Sequence, residues 1–272
     1  MRYQRKSSIA YLFRNFWQLA PIALLPAILF GIFDNTASQI QFIHSYLDGG
    51  INADNILMEI VRTVSVLRFG KLWWGEIVAV LVLVLAQSLL MVKVSQHMRI
   101  GKMDFLPFRR AFEILPTVFL FVLCVMALGE VLNLVVSGII FLIRSANEVL
   151  LIVVATVFQY LLQTLAVFVV GMLLFAFPIM FLENYSFNFA LSYSVRLMYE
   201  KRKKLFLFAA LYPLLRFVVT VICGLINLPI VTMAVFSVGY LFCFAWLPCF
   251  TFKLYYDSVG GERRDISRVM FG

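Results

Sequence analysis

Two charged residues lie deep inside apolar runs and are the first candidates for chemistry. Glu130 falls near the middle of the run 112–143, and Arg216 falls near the middle of the run 205–225. A charged side chain at the centre of a bilayer costs about 2.5–3.5 kcal/mol on insertion scales, so such residues mark functional sites by default. The opposite charges at similar depth predict that these two side chains pair.

Uncharged polar residues accompany both charges. Positions three and four apart share a helical face, and polar residues follow each charge at these spacings. Two glutamines four positions apart in another run add further amides. The predicted polar site consists of Glu130, Asn133, Gln159, Gln163, Arg216 and Thr220. It is open to two interpretations, a polar cavity for an ion or a lipid head group, or a satisfied ion pair that locks helix packing.

Motifs for catalysis and cofactor binding are missing from the sequence. His44 and His97 fall in two different connections between apolar runs, so neither a His-Glu-x-x-His zinc site nor a Ser-His-Asp arrangement can be assembled. The four cysteines lie in apolar runs without Cys-x-x-Cys spacing, which predicts buried thiols. We therefore expect a protein that is not an enzyme and that holds no metal and no cofactor.

Long apolar runs are the elements that must position these residues. Apolar residues make up 63% of the chain and charged residues 14%, against about 25% charged in soluble domains, which excludes a soluble globule. The chain 1–272 is predicted to be one integral membrane domain, an all-α polytopic membrane protein with six transmembrane helices. The predicted spans are 16–33, 74–92, 112–143, 149–182, 205–225 and 229–252.

The basic residues fall mostly on one side of the predicted membrane, which places both termini in the cytoplasm. The net charge of +9 follows from basic loops beside anionic head groups, and nucleic acid is not an expected partner. The amphipathic segment 186–204 is predicted to lie along the membrane surface. Its basic cluster, predicted to contact lipid head groups, is Lys201, Arg202, Lys203 and Lys204. The alternative is that this cluster only sets the topology.

Two further patterns concern the connections. The segment 34–73 carries apolar residues at helical spacing and predicts an interfacial amphipathic helix, with a substrate-recognition lid as the alternative. Three stretches repeat a basic residue, a phenylalanine two positions later and then a proline, at 14–21, 110–116 and 204–213. They indicate three helical hairpins by duplication or, alternatively, the common pattern of a chain entering a membrane.

Four stretches, at 99–112, 182–197, 254–257 and 262–265, resemble one membrane family. This is the membrane domain attached to some bacterial glycerophosphoryl diester phosphodiesterases, together with its stand-alone inner-membrane relatives. The resemblance implies a bacterial inner-membrane protein without an assigned catalytic site. It implies no hydrolytic activity, because the soluble phosphodiesterase domain and its metal-binding residues are missing from this sequence.

Three classes of function follow from these observations. The leading interpretation is a non-catalytic scaffold or accessory subunit of a membrane process, with anionic lipid and other membrane proteins as partners. The alternative is a transporter or lipid-handling protein whose polar cavity surrounds Glu130 and Arg216. An intramembrane enzyme is the third class, and an ordered metal in the interior would favour it.

Overall fold

The structure is a computed structural model, and it describes residues 8–33, 73–101, 108–142, 148–183, 185–199, 202–226 and 228–259. These residues are helical almost throughout. The helices are α1 (Ser8–Arg14), α2 (Phe16–Phe33), α3 (Trp73–Ile100), α4 (Phe108–Leu142), α5 (Glu148–Leu173), α6 (Ala176–Glu183), α7 (Phe187–Tyr199), α8 (Arg202–Ile226) and α9 (Pro229–Val259).

Six segments among these helices are long and apolar enough to cross a membrane. They are α2, α3, α4, α5 continued by α6, α8 and α9. The predicted all-α, six-span fold class is therefore confirmed. Helix α9 begins at Pro229, where the missing amide hydrogen costs nothing because the first helical amides have no partner within the helix.

Helix α3 is the centre of the bundle. It packs against α2, α4 and α9, and it has the largest buried share of the six spans, 61%. Every residue from 87 to 95 is buried, so neighbouring helices surround α3 completely at this level. A helix enclosed on all sides can find partners for its polar side chains only within the bundle.

Helices α2 and α9 approach each other closely at Gly31. Ala23, Ala27 and Gly31 are buried at four-residue intervals along one face of α2. At Gly31, the backbone of α9 is so near that an added Cβ would lie 2.9 Å from the amide nitrogen of Ser237 and 3.0 Å from the carbonyl oxygen of Met233. Small residues at this spacing are typical of membrane helices that meet backbone to backbone.

Two helix ends differ from the apolar runs. The run 149–182 is interrupted, because α5 ends at Leu173 and α6 begins at Ala176. Pro178 explains the break, since it has no amide hydrogen to donate to the carbonyl of Leu174. Helix α3 extends eight residues beyond the predicted span 74–92 and ends at Ile100. The next residue, Gly101, has a φ of 75°, the left-handed conformation typical of the residue that follows a helix.

Two short helices accompany the spans. Helix α1 ends where the Asn15 side chain donates a hydrogen bond to the Tyr11 carbonyl at 2.9 Å. Helix α7 lies within the predicted surface segment 186–204 and packs against α5 and α6. The predicted interfacial helix at 34–73 lies outside the described residues, apart from Trp73 in α3.

Consecutive spans pack together as the three predicted hairpins require, but the first and last spans also pack against each other. Helices α2 and α3 pack together, as do α4 and α5. Helices α8 and α9 meet through aromatic rings, with Phe208 against Trp246 and Phe250. The most extensive pairing joins the first span, α2, to the last, α9. Duplication of three hairpins stays a prediction.

Candidate functional site

Prolines inside the spans leave backbone carbonyls without their helical donors. Helix α2 contains Pro21 and Pro26, and α4 contains Pro116. Helix α8 contains Pro213, and α9 contains Pro248. A proline cannot donate to the carbonyl four residues earlier, and its ring disturbs the preceding turn. In hydrocarbon no water replaces the lost hydrogen bond, so a neighbouring helix must supply a donor.

Gln87 supplies that donor to α9. Its Nε2 atom donates to the carbonyl oxygen of Phe244 at 3.1 Å. Phe244 is four residues before Pro248, so this carbonyl is the one that the proline leaves without its helical partner. Gln87 is buried, and its Oε1 atom accepts no hydrogen bond from the described residues. The amide therefore acts as a donor from the central helix to a proline-interrupted helix.

Two other side chains donate to carbonyls near a proline, each one residue after the carbonyl that the proline leaves without its helical donor. Lys93 donates from Nζ to the carbonyl of Gln18 at 3.2 Å, three residues before Pro21. On the other side of the bundle, the hydroxyl of Tyr160 donates to the carbonyl of Ala210 at 2.9 Å, three residues before Pro213. The donors come from α3 and α5, the two helices among these spans without an internal proline.

Ser194 donates a hydrogen bond to a carbonyl at the end of a helix. Its hydroxyl donates to the carbonyl of Met172 at 2.7 Å and is completely buried. Met172 lies in the last turn of α5, and the last four carbonyls of a helix have no partner within it. This hydrogen bond fixes α7 against the end of α5. We use the name carbonyl caps for the four donors Gln87, Lys93, Tyr160 and Ser194.

The C-terminal end of α3 holds α1 in place. The Tyr11 hydroxyl and Nδ1 of His97 form a hydrogen bond of 2.7 Å, and the two rings are in contact. Nε1 of Trp246 donates to the Ser8 hydroxyl at 3.1 Å, so α1 is also tied to α9. The sequence prediction that His97 lies in a connection is therefore wrong, because α3 continues past it to Ile100.

The predicted polar site is distributed along the helices. Glu130 and Arg216 are half-buried on α4 and α8, and each interacts with neighbouring groups. Both helices pack close to α5, which carries the half-buried Gln163. Thr220 is buried and donates to the carbonyl of Arg216, one turn earlier in its own helix, at 2.9 Å. The predicted pair of Glu130 with Arg216 stays a prediction.

Gln163 and Arg216 lie on α5 and α8, two helices that pack together. Of Asn133 and Gln159, the structure describes only the backbone.

The basic cluster is partly described. Arg202 and Lys203 are exposed at the start of α8, and the Arg202 guanidinium lies 3.9 Å from the centroid of the Tyr199 ring. Lys201 lies outside the described residues, and of Lys204 only the backbone is described. The cluster is therefore next to α7 and contacts one of its aromatic side chains.

The structure also shows which cysteines are buried and whether side chains that could bind a metal lie together. Cys223 and Cys249 are buried as predicted, whereas Cys124 and Cys243 are exposed on the outer surfaces of α4 and α9. An apolar run predicts helix and membrane burial but not which face turns inward, which explains this error. Within the described ranges, no group of three or more His, Cys, Asp or Glu side chains is placed to hold a metal ion.

Sequence reasoning did not identify any of the four carbonyl caps as a donor between helices. The predicted span 74–92 ends before Lys93, and Tyr160 and Ser194 carry no charge that would attract attention. For Gln87 the available signal was Pro248, since a proline inside an apolar run requires a donor from elsewhere. Only the pairing of helices shows which donor reaches which carbonyl.

The fold and its interior hydrogen bonds define a polytopic α-helical membrane bundle. No family model matches the chain, and it matches neither a curated protein nor a solved structure.

Proposed function

We propose that this chain is a non-catalytic scaffold or accessory subunit of a process in the bacterial inner membrane. The supporting observation is the use of the interior polar groups. Gln87, Lys93, Tyr160 and Ser194 each donate to a backbone carbonyl of a neighbouring helix. These groups are used to hold helices together, as a rigid support requires.

The location and orientation are part of the same proposal. Most of the 23 Lys and Arg residues lie on the side that carries both termini, which favours cytoplasmic termini. Anionic lipid and other membrane proteins are the proposed partners. The resemblance to the membrane domain of bacterial glycerophosphoryl diester phosphodiesterases agrees with this role and stays a prediction.

A transporter or lipid-handling protein is the second candidate. The observation that favours it is the set of half-buried polar groups on α4, α5 and α8, which includes Glu130, Gln163 and Arg216. In a transport pathway these groups would be hydrated, and a single substitution would leave the protein folded. In a scaffold they would be paired with each other, and a single substitution would destabilise the fold.

Substitution of the two deep charges tests the choice. We expect Glu130→Gln and Arg216→Gln each to lower the free energy of unfolding in detergent micelles, because each leaves a partly buried charge without its partner. The double variant is expected to lose less than the sum of the two single losses, with a coupling of about 0.5–3 kcal/mol.

An exposed ion pair on α4 provides the matched control. Arg109 and Glu113 lie 3.7 Å apart with exposed side chains. The same double-mutant cycle there is expected to give no measurable coupling, because solvent screens exposed pairs. Additive losses at Glu130 and Arg216 would contradict the proposed pair, and folded variants that lose solute flux in proteoliposomes would favour the transporter.

A further inference from the structure

Helix α7 has two chemically different faces. Ala190, Ser194 and Met198 are buried at four-residue intervals and turn toward the bundle. The opposite side is exposed, and we call it the outer face of α7. Its residues are Tyr185, Phe189, Ser192, Arg196 and Tyr199. No described helix covers this face, although it carries three aromatic rings.

Three rings form an aromatic ladder at the start of this face, of which the third, Tyr193, is half-buried. Tyr185 contacts Phe189 with ring centroids 4.6 Å apart, and Phe189 stacks on Tyr193 at 5.9 Å. Further along the chain, the guanidinium of Arg202 lies over the Tyr199 ring. The rings of the ladder hold each other in place, and Tyr193 also packs against the buried cluster that contains Ala190 and Met198.

Charge on this segment has one dominant sign. Residues 185–204 include five basic residues and a single acidic one, Glu200. Arg196, Arg202 and Lys203 are exposed beside the aromatic ladder. Aromatic rings favour the level of lipid head groups, and arginine binds phosphate through parallel N–H donors.

We propose that the outer face of α7, together with Arg202, binds the phosphate head groups of anionic phospholipids. The rings fix the depth of α7 in the head-group layer, and Arg196 and Arg202 contact the phosphates. This site extends the predicted contact of the basic cluster at 201–204 to an aromatic surface on a different helix. The site rests on the anionic lipid partner of the proposed function, whereas the scaffold role depends on the bundle interior, so the two can fail separately.

The test compares two pairs of arginines in the purified full chain. One variant is Arg196→Gln/Arg202→Gln, and the control is Arg109→Gln/Arg110→Gln, which removes the same charge from exposed positions on α4. Binding of phosphatidylglycerol and of phosphatidylcholine is titrated in detergent micelles by the change in melting temperature. All of these side chains are exposed, so both variants are expected to stay folded.

We expect the α7 variant to bind phosphatidylglycerol about 10- to 30-fold more weakly, at about 1 kcal/mol per basic residue near a lipid surface. The control should change by less than threefold, and phosphatidylcholine binding should not change in either variant. Phe189→Gln provides a second variant and should weaken binding without a change of charge. Equal losses in the α7 variant and the control, or no loss at α7, would overturn the proposal.

Discussion

Replacement of Gly31 with leucine is expected to separate α2 from α9 and to lower the free energy of unfolding by about 3 kcal/mol or more. An added Cβ would meet the hydroxyl of Ser237 and the backbone atoms of Ser237 and Met233. The hydroxyl can rotate away, but the backbone of α9 can make room only if the two helices move apart.

The consequences of that movement extend beyond Gly31. Ala23 and Ala27 lie along the same contact and are almost completely buried, so separation would expose the whole interface. In a membrane the loss is mainly one of close packing, because lipid is as apolar as the residues that it replaces. The measurement is the midpoint of unfolding in detergent, together with the yield of monodisperse protein.

Gly239 is the matched control for Gly31. It lies on α9 with no heavy atom within 4 Å of the position that a Cβ would take. Gly239→Leu should therefore leave stability unchanged or raise it slightly, since glycine is a poor helix former. Equal losses at Gly31 and Gly239 would show that α2 and α9 do not meet closely.

The second large effect is expected at the cap between α3 and α9. Gln87→Leu should lower the free energy of unfolding by about 1–3 kcal/mol, because it leaves the carbonyl of Phe244, inside the bundle of apolar helices, without a donor. Pro248→Ala restores the amide hydrogen that this carbonyl lacks. The loss from Gln87→Leu should therefore be smaller by about 1 kcal/mol or more in the Pro248→Ala background.

This double-mutant cycle separates the effect of losing the hydrogen bond from the effect of changing the side-chain volume. Leucine and glutamine are similar in volume, and any cavity left by Pro248→Ala is common to both members of the comparison. Gln18→Leu is the control for loss of an amide, because the Gln18 side chain is exposed. An equal loss from Gln87→Leu with and without Pro248 would refute the account of the cap.

Hydropathy predicted the architecture because it reports which segments avoid water. Helix α2 covers the same residues as the first predicted run, 16–33. The same signal cannot locate the break after Leu173, since the residues on both sides are apolar. It also ended α3 too early, because Lys93 and His97 suggested a loop, although a long helix can carry both into contact with α1 and α2.

The interior hydrogen bonds were less accessible to prediction. Glu130 and Arg216 attract attention because a charge in an apolar run is rare, but their partners depend on how the helices are rotated. Gln87 is a polar residue in an apolar run, yet its role depends on Pro248, 161 positions later in the chain. A proline indicates which carbonyl needs a donor, and only the three-dimensional arrangement shows where the donor comes from.

Accessibility of the interior to water tests the scaffold proposal most directly. Single cysteines at Asn133, Gln163 and Thr220, in a chain whose four native cysteines are replaced by alanine, are treated with a water-soluble maleimide in native membranes. A cysteine at Ser192, on the outer face of α7, is the positive control. We expect labelling at position 192 and protection at the other three. Labelling at 163 or 220 to the extent seen at 192 would contradict the scaffold proposal and would favour a hydrated pathway.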